Sequence, residues 1–243
     1  MAVAGISEAR EAILSVATFN ATLFLATVGF FWAGVFVLRS VGRPASYSLS
    51  ALGFRRPRMG VFGGFGLGFL VGLGSLVLSM ALNPATALVL ESLGYSTEST
   101  VQQPFMQNLE EWVAGSPVVA TVAILGVVVI FGSAVEELVF RGAIFNGLHA
   151  IGKAFSSRLG ISGPPLKTVR RMWFILATLL SSVFFALLHF EPVILPALVV
   201  LAVALCWLFE KTGSLIPPIV AHATFNSFAA IVIILSGLGI FEI

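Results

Sequence analysis

Between Pro117 and Ser133 the sequence PVVATVAILGVVVIFGS carries no ionisable side chain. Comparable apolar runs recur along the chain, at approximately 12–38, 60–82, 117–148, 172–190, 193–209 and 217–238. Each stays apolar for about 20 residues, the length a helix needs to cross a bilayer, whereas strands of a membrane barrel alternate over about 10. The runs therefore predict an all-α fold, a polytopic transmembrane helix bundle of about six spans in one integral membrane domain over 1–243. Composition agrees. Hydrophobic residues make up 58% of the 243, charged residues 10%, and aspartate is absent, against roughly 25% charged in a soluble domain. Nothing in this composition points to nucleic acid; the partner it demands is a lipid bilayer.

No basic leader precedes the first run, so it reads as a permanent helix and not as a removable signal. The second run admits a break into a shorter helix and an interfacial piece. The third is long enough to tilt or to leave the bilayer before it stops. Arg39, Arg43, Arg55, Arg56 and Arg58 follow the first span, and Lys153, Arg158, Lys167, Arg170 and Arg171 follow the third. The connection between spans two and three, 83–116, holds four glutamates and no Lys or Arg. Positive-inside bias then places both basic segments in the cytoplasm. Short loops and the lack of a targeting segment suggest a prokaryotic plasma membrane. NLEEWVAGSP, 108–117, suits a short amphipathic helix on the outer surface with Trp112 at headgroup level. Gly60, Gly64, Gly68 and Gly72 repeat G-x-x-x-G, a stripe that lets a second helix approach closely. GGFGLGFLVG lacks the preceding strand of a nucleotide-binding loop, so packing is its reading. Cys206, the one cysteine, reads as a core filler.

Ionisable residues inside the spans are few, and each costs roughly 2.5–3.5 kcal/mol at a helix centre on insertion scales. They are Glu136, Glu137 and Arg141 in the third span, His189 at the end of the fourth and His222 in the sixth, where the uncharged Asn226 joins them. His149 sits at the edge of the basic segment and reads as a solvated interfacial residue. Glu137 and Arg141 are four apart, about 40° around a helix, with the acid first, and are expected to pair. Glu136 lies about 140° from Arg141 and is left for chemistry, as a general base. His222 and Asn226 share a face and offer donors to one point, the composition of an oxyanion site. Pro217 and Pro218 suit the helix start before them. Phe185, four residues before His189, can pack on that imidazole.

EELVFRG at Glu136–Gly142, FALLH at Phe185–His189 and HATFN at His222–Asn226 occur in this order. The trio resembles the E-E-x-x-x-R, F-x-x-x-H and H-x-x-x-N motifs of the CPBP family, the C-a-a-X protease and bacteriocin-processing membrane enzymes. The resemblance covers about 117–228, the expected catalytic core. It implies an intramembrane endopeptidase of glutamic type acting on a membrane-associated or lipidated protein or peptide, without a cofactor. In that reading Glu136 and His189 activate water, His222 and Asn226 stabilise the oxyanion, and Glu137, Arg141 and Phe185 support the site. Glu136, His189 and His222 would also make a three-ligand zinc set, which leaves a zinc metalloprotease as an alternative. A catalytically silent scaffold or immunity protein, or a small-solute transporter, would use the same polar cluster as interhelical glue or as a proton relay. Transport is disfavoured by the absence of an internal repeat. One tension remains at this level. Counted from Arg171, His189 lies about 27 Å along its helix at 1.5 Å per residue, beyond the expected depth of Glu136 and His222. A cavity facing the cytoplasm and reaching mid-membrane would reconcile the three.

Overall fold

The computed structural model describes residues 2–99, 102–160 and 162–241. Its elements are α1 (Ala2–Ser40), α2 (Val61–Ser92), α3 (Gln102–Gly115), α4 (117–158), α5 (Pro164–Leu187), α6 (Leu195–Thr212) and α7 (Ile216–Gly237). No strand occurs among the described residues. Among the described residues six helices are long and apolar enough to span a membrane, and the chain is an integral membrane protein. Large apolar side chains such as Phe30, Phe62 and Val118 stand exposed on the outside of the bundle. Lipid, not water, is the solvent that suits such a surface.

The helices overrun the apolar runs. α2 continues unbroken through Pro84 to Ser92, so the second run does not split. The candidate span within α4 runs Pro117–Ser156, 40 residues. At 1.5 Å per residue that is about 60 Å, roughly twice the hydrocarbon core. α4 contains two π stretches, Ile124–Gly132 and Leu138–Phe145, on either side of an α-helical turn, Ser133–Glu137. Such π segments concentrate at functional sites, and here they flank the two glutamates.

α2 packs chiefly against α7. Gly64, Gly68 and Gly72 are buried, and Gly68 and Gly72 lie against the α7 backbone at Pro217 and Ala221. Gly60 stands outside this seam as the N-cap residue. Gly72→Leu is expected to destabilise the bundle by about 1–3 kcal/mol through overpacking, because its Cβ would lie 2.8 Å from that of Thr224. Gly74→Leu is the control, since its Cβ would meet nothing within 4 Å. Thermal unfolding in detergent should separate the two variants.

α3 is helical, yet its apolar face is not laid on lipid. Leu109, Trp112 and Val113 are buried in a cluster with Ala9 and Ile13 of α1 and Ile233 of α7. Trp112 therefore belongs to the core and not to a headgroup layer. The basic segment after α1 is also partly structural. Arg58 Nη1 donates to Glu210 O at 3.1 Å, and Arg55 Nε donates to Gly213 O. Two guanidinium groups thus satisfy carbonyls at the end of α6, as cations at a helix C-terminus should. His149 is buried, not solvated: it packs on Phe145 and Phe174, with Nδ1 3.5 Å from Glu210 Oε2. The side chain of Lys153 lies outside the described residues.

The tension over His189 resolves through the pairing of α4 with α5. The second basic segment is not a loop but a helical hairpin, since α4 continues to Arg158 and α5 begins at Pro164. Gly152 lies against the Trp173 ring. Ser181 Oγ donates to Phe140 O at 3.0 Å, and the Phe140 and Phe185 rings meet edge-on at 5.1 Å. Glu136 is sixteen residues before Gly152 and His189 sixteen after Trp173. Antiparallel pairing in this register brings the two level. Arg171 was a poor depth marker because α5 starts alongside the far end of an overlong α4.

Candidate functional site

Glu137 is the anchor of the polar cluster. It is 0% exposed, as is Arg141, whose Nη1 donates to Glu137 Oε1 at 2.8 Å. A carboxylate held by a guanidinium is an acceptor only. His222 Nδ1, 2.9 Å from the same oxygen, therefore carries the proton of that bond. Arg141 Nη2 also donates to Ala202 O at 3.2 Å on α6, and its guanidinium carbon lies 4.8 Å from the Phe185 ring centroid. One buried ion pair thus ties α4 to α5, α6 and α7. The link from Glu137 to His222 was not read from the sequence, since it crosses between helices 85 positions apart.

Glu136 points away from this pair and is 28% exposed by side chain. Its Oε2 is 3.8 Å from His222 Nε2, beyond hydrogen-bond length, and has no hydrogen bond among the described residues. His222 consequently stands between the two glutamates, bonded to one and facing the other.

His189 lies just beyond α5, in the turn that follows Leu187. Its Nδ1 is 3.0 Å from Phe185 O. A carbonyl only accepts, so Nδ1 holds the proton and Nε2 keeps its lone pair. The Phe185 ring, fully buried, lies 4.8 Å from His189, 5.5 Å from His222 and 5.1 Å from Phe140. It fixes both imidazoles as well as shielding the guanidinium. The next residue, Phe190, adopts φ 53°, unusual for a bulky side chain. That reversal lets Glu191 turn inward, where it is buried and accepts from Ser99 Oγ at 2.5 Å. Glu191 was not singled out by any motif.

A cavity of about 230 Å³ is lined by Glu136, His189 and Asn226, together with Asn20 of α1, Met106 of α3 and Gly132. A second of about 510 Å³ shares His189 and Asn226 and is otherwise mostly apolar, with Leu76, Ala197, Leu198 and Phe225. Met106 also borders a polar pocket of about 380 Å³ containing Thr97, Ser99, Glu110 and Glu191. Asn226 Nδ2 is 3.3 Å from Ser133 Oγ. His222, 2% exposed, sits behind Glu136 and not on the cavity wall. The oxyanion pair expected at His222 and Asn226 is therefore divided, with the carboxamide in the cavity and the imidazole behind it. The cavities adjoin the Ile194 end of α6, whereas Arg55 and Arg58 hold its other end. The site thus adjoins the end opposite the basic segments, and not the end at which a cytoplasm-facing cavity was expected. Among the described residues no three His, Cys, Asp or Glu side chains are grouped to hold a metal ion. Nδ1 of each histidine is committed to a protein oxygen, so Nε2 is the ring nitrogen left for water or another ligand.

Gly142, which closes the glutamate motif, has a packing reason. A Cβ there would come within 2.7 Å of Leu52 O, in the short 3-10 turn Leu49–Leu52 that follows α1.

No curated protein and no solved structure matches the chain. A family model does match, over residues 118–228: type II CAAX prenyl endopeptidase Rce1-like. The matched segment runs from the start of α4 to Phe228 of α7 and includes all three motifs, while α1, α2 and α3 lie outside it. Over residues 118–228 the chain is similar to the Rce1-like type II CAAX prenyl endopeptidases.

Proposed function

We propose that the chain is a glutamate-dependent intramembrane endopeptidase that hydrolyses a peptide bond in a membrane-associated or lipidated protein or peptide. The observation that carries this reading is the cavity on which Glu136, His189 and Asn226 converge. Water held between Glu136 and Nε2 of His189 gives a proton to the carboxylate as its oxygen attacks the peptide carbonyl. The Asn226 carboxamide donates to the resulting oxyanion. Collapse breaks the C–N bond, the leaving nitrogen takes that proton back from Glu136, and a carboxylic acid and an amine are released. His222, held through Nδ1 by Glu137, packs behind Glu136 with Nε2 3.8 Å from its Oε2. The apolar cavity beside His189 suits an apolar side chain or lipid chain of the substrate.

The charge pattern suits an orientation with both basic segments cytoplasmic, and the short loops suit a prokaryotic plasma membrane. In that orientation the cavity adjoins the outer half of the bilayer.

The test is cleavage of a quenched C-a-a-X peptide library, with and without a farnesyl group on the cysteine, by purified protein in detergent. Cleavage by wild type, lost in Glu136→Ala and His189→Ala and insensitive to chelators, is the expected result. Cleavage abolished by a chelator and restored by zinc would replace the glutamate mechanism with a metal one.

A further inference from the structure

The α1 helix lies outside the matched segment, yet it brings one polar side chain to the site. Asn20 is 4% exposed and lines the same cavity as Glu136, His189 and Asn226. Its Nδ2 donates to Val16 O at 3.0 Å, one turn back on its own helix. That bond settles which end of the amide is which, because a carbonyl accepts only from the NH2 group. The oxygen Oδ1 is then the acceptor of an amide whose NH2 is already engaged. Oδ1 is buried and has no hydrogen-bond partner among the described residues. A buried acceptor without a donor is destabilising, and an asparagine within an apolar helix is costly in lipid as well.

The other cavity groups leave a defined vacancy in the chemistry. Asn226 can donate, and Glu136 and Nε2 of His189 accept the protons of water. A peptide bond brings two polar groups into the site, a carbonyl oxygen that needs donors and an N–H that needs an acceptor. None of the roles proposed for Glu136, His189 and Asn226 serves the N–H. We propose that Asn20 Oδ1 accepts a hydrogen bond from the N–H of the scissile peptide, and so makes α1 a substrate-orienting part of the site. This rests on the endopeptidase reading above. Fixing the N–H fixes the plane of the amide, and with it the face that the carbonyl carbon turns toward Glu136. Asn20 acts on the substrate directly and takes no part in moving protons from water.

The experiment compares two probes that differ in one atom group. One is a quenched, farnesylated C-a-a-X peptide. The other is its depsipeptide, in which an ester oxygen replaces the scissile N–H. Wild type, Asn20→Leu and Asn20→Ala are assayed on both, and the ratio of kcat/KM for amide over ester is taken within each protein. This ratio cancels both the intrinsic reactivity of the ester and any loss of folded protein. The expected result is a ratio about tenfold lower in both variants, the effect of one lost hydrogen bond to a buried acceptor. An unchanged ratio, with rates on both probes falling together, assigns Asn20 to the fold or to the attacking water and overturns the proposal. Wild type inactive on both probes overturns the endopeptidase reading, and the assignment of Asn20 with it.

Discussion

Glu136→Gln is expected to abolish cleavage while leaving the bundle folded. General-base catalysis contributes about 10²–10⁴ in rate, and a carboxamide has no basic lone pair to replace it. The effect should fall on kcat, because substrate contacts come from other walls of the cavity. Stability should change little. The side chain keeps its size, is 28% exposed, and its Oε2 makes no hydrogen bond that the substitution would break. Surface-like changes of this kind usually stay within about 0.5 kcal/mol. Initial rates on a quenched peptide, measured beside a thermal unfolding curve in detergent, check both halves. Activity retained within a factor of two would remove Glu136 from the role of base and leave Glu137, whose two bonds to Arg141 and His222 make it unsuited to one.

Adjacent glutamates thus differ in environment more than in chemistry, and that difference was legible in spacing. A separation of four placed Glu137 with Arg141, and the structure has that pair at 2.8 Å. The glycine stripe of α2 was legible for the same reason: small residues every four positions mean a close neighbour. Which neighbour was not, because periodicity describes one helix at a time. The contact of Glu137 with His222 and the arrival of Asn20 at the cavity needed the bundle itself. An isolated asparagine in an apolar helix carries no spacing signal at all.

Two misplacements share a physical origin. Hydropathy records that a face is apolar, not whether lipid or protein covers it. NLEEWVAGSP has the pattern of a surface helix, yet Trp112 is 4% exposed and packed on protein. His149 was read as solvated from its position beside charges, but Phe145 and Phe174 enclose it. Depth failed in the same manner. Span ends taken from charges put Arg171 at the interface, whereas α5 begins against the distal part of an α4 that runs far past one bilayer thickness.

Arg141→Met should destabilise the bundle severely, by about 3–5 kcal/mol, since it strands the Glu137 carboxylate at 0% exposure with only His222 beside it. Glu137→Leu should cost a similar amount by stranding the guanidinium. The double variant, Glu137→Leu with Arg141→Met, removes both charges and keeps comparable volume. Replacing a buried ion pair by apolar residues is often neutral or stabilising, so unfolding temperature should return most of the way toward wild type. Activity should not return. His222 loses the acceptor that holds its Nδ1, and Glu136 loses the oriented imidazole facing it at 3.8 Å. Recovery of stability without recovery of cleavage would show that the pair shapes the reaction through His222 and does not merely hold helices together. Recovery of both would reduce Glu137 and Arg141 to packing. Single variants that unfold no more readily than wild type would mean that water reaches the pair, and that its burial in this bundle is not what sets its energy.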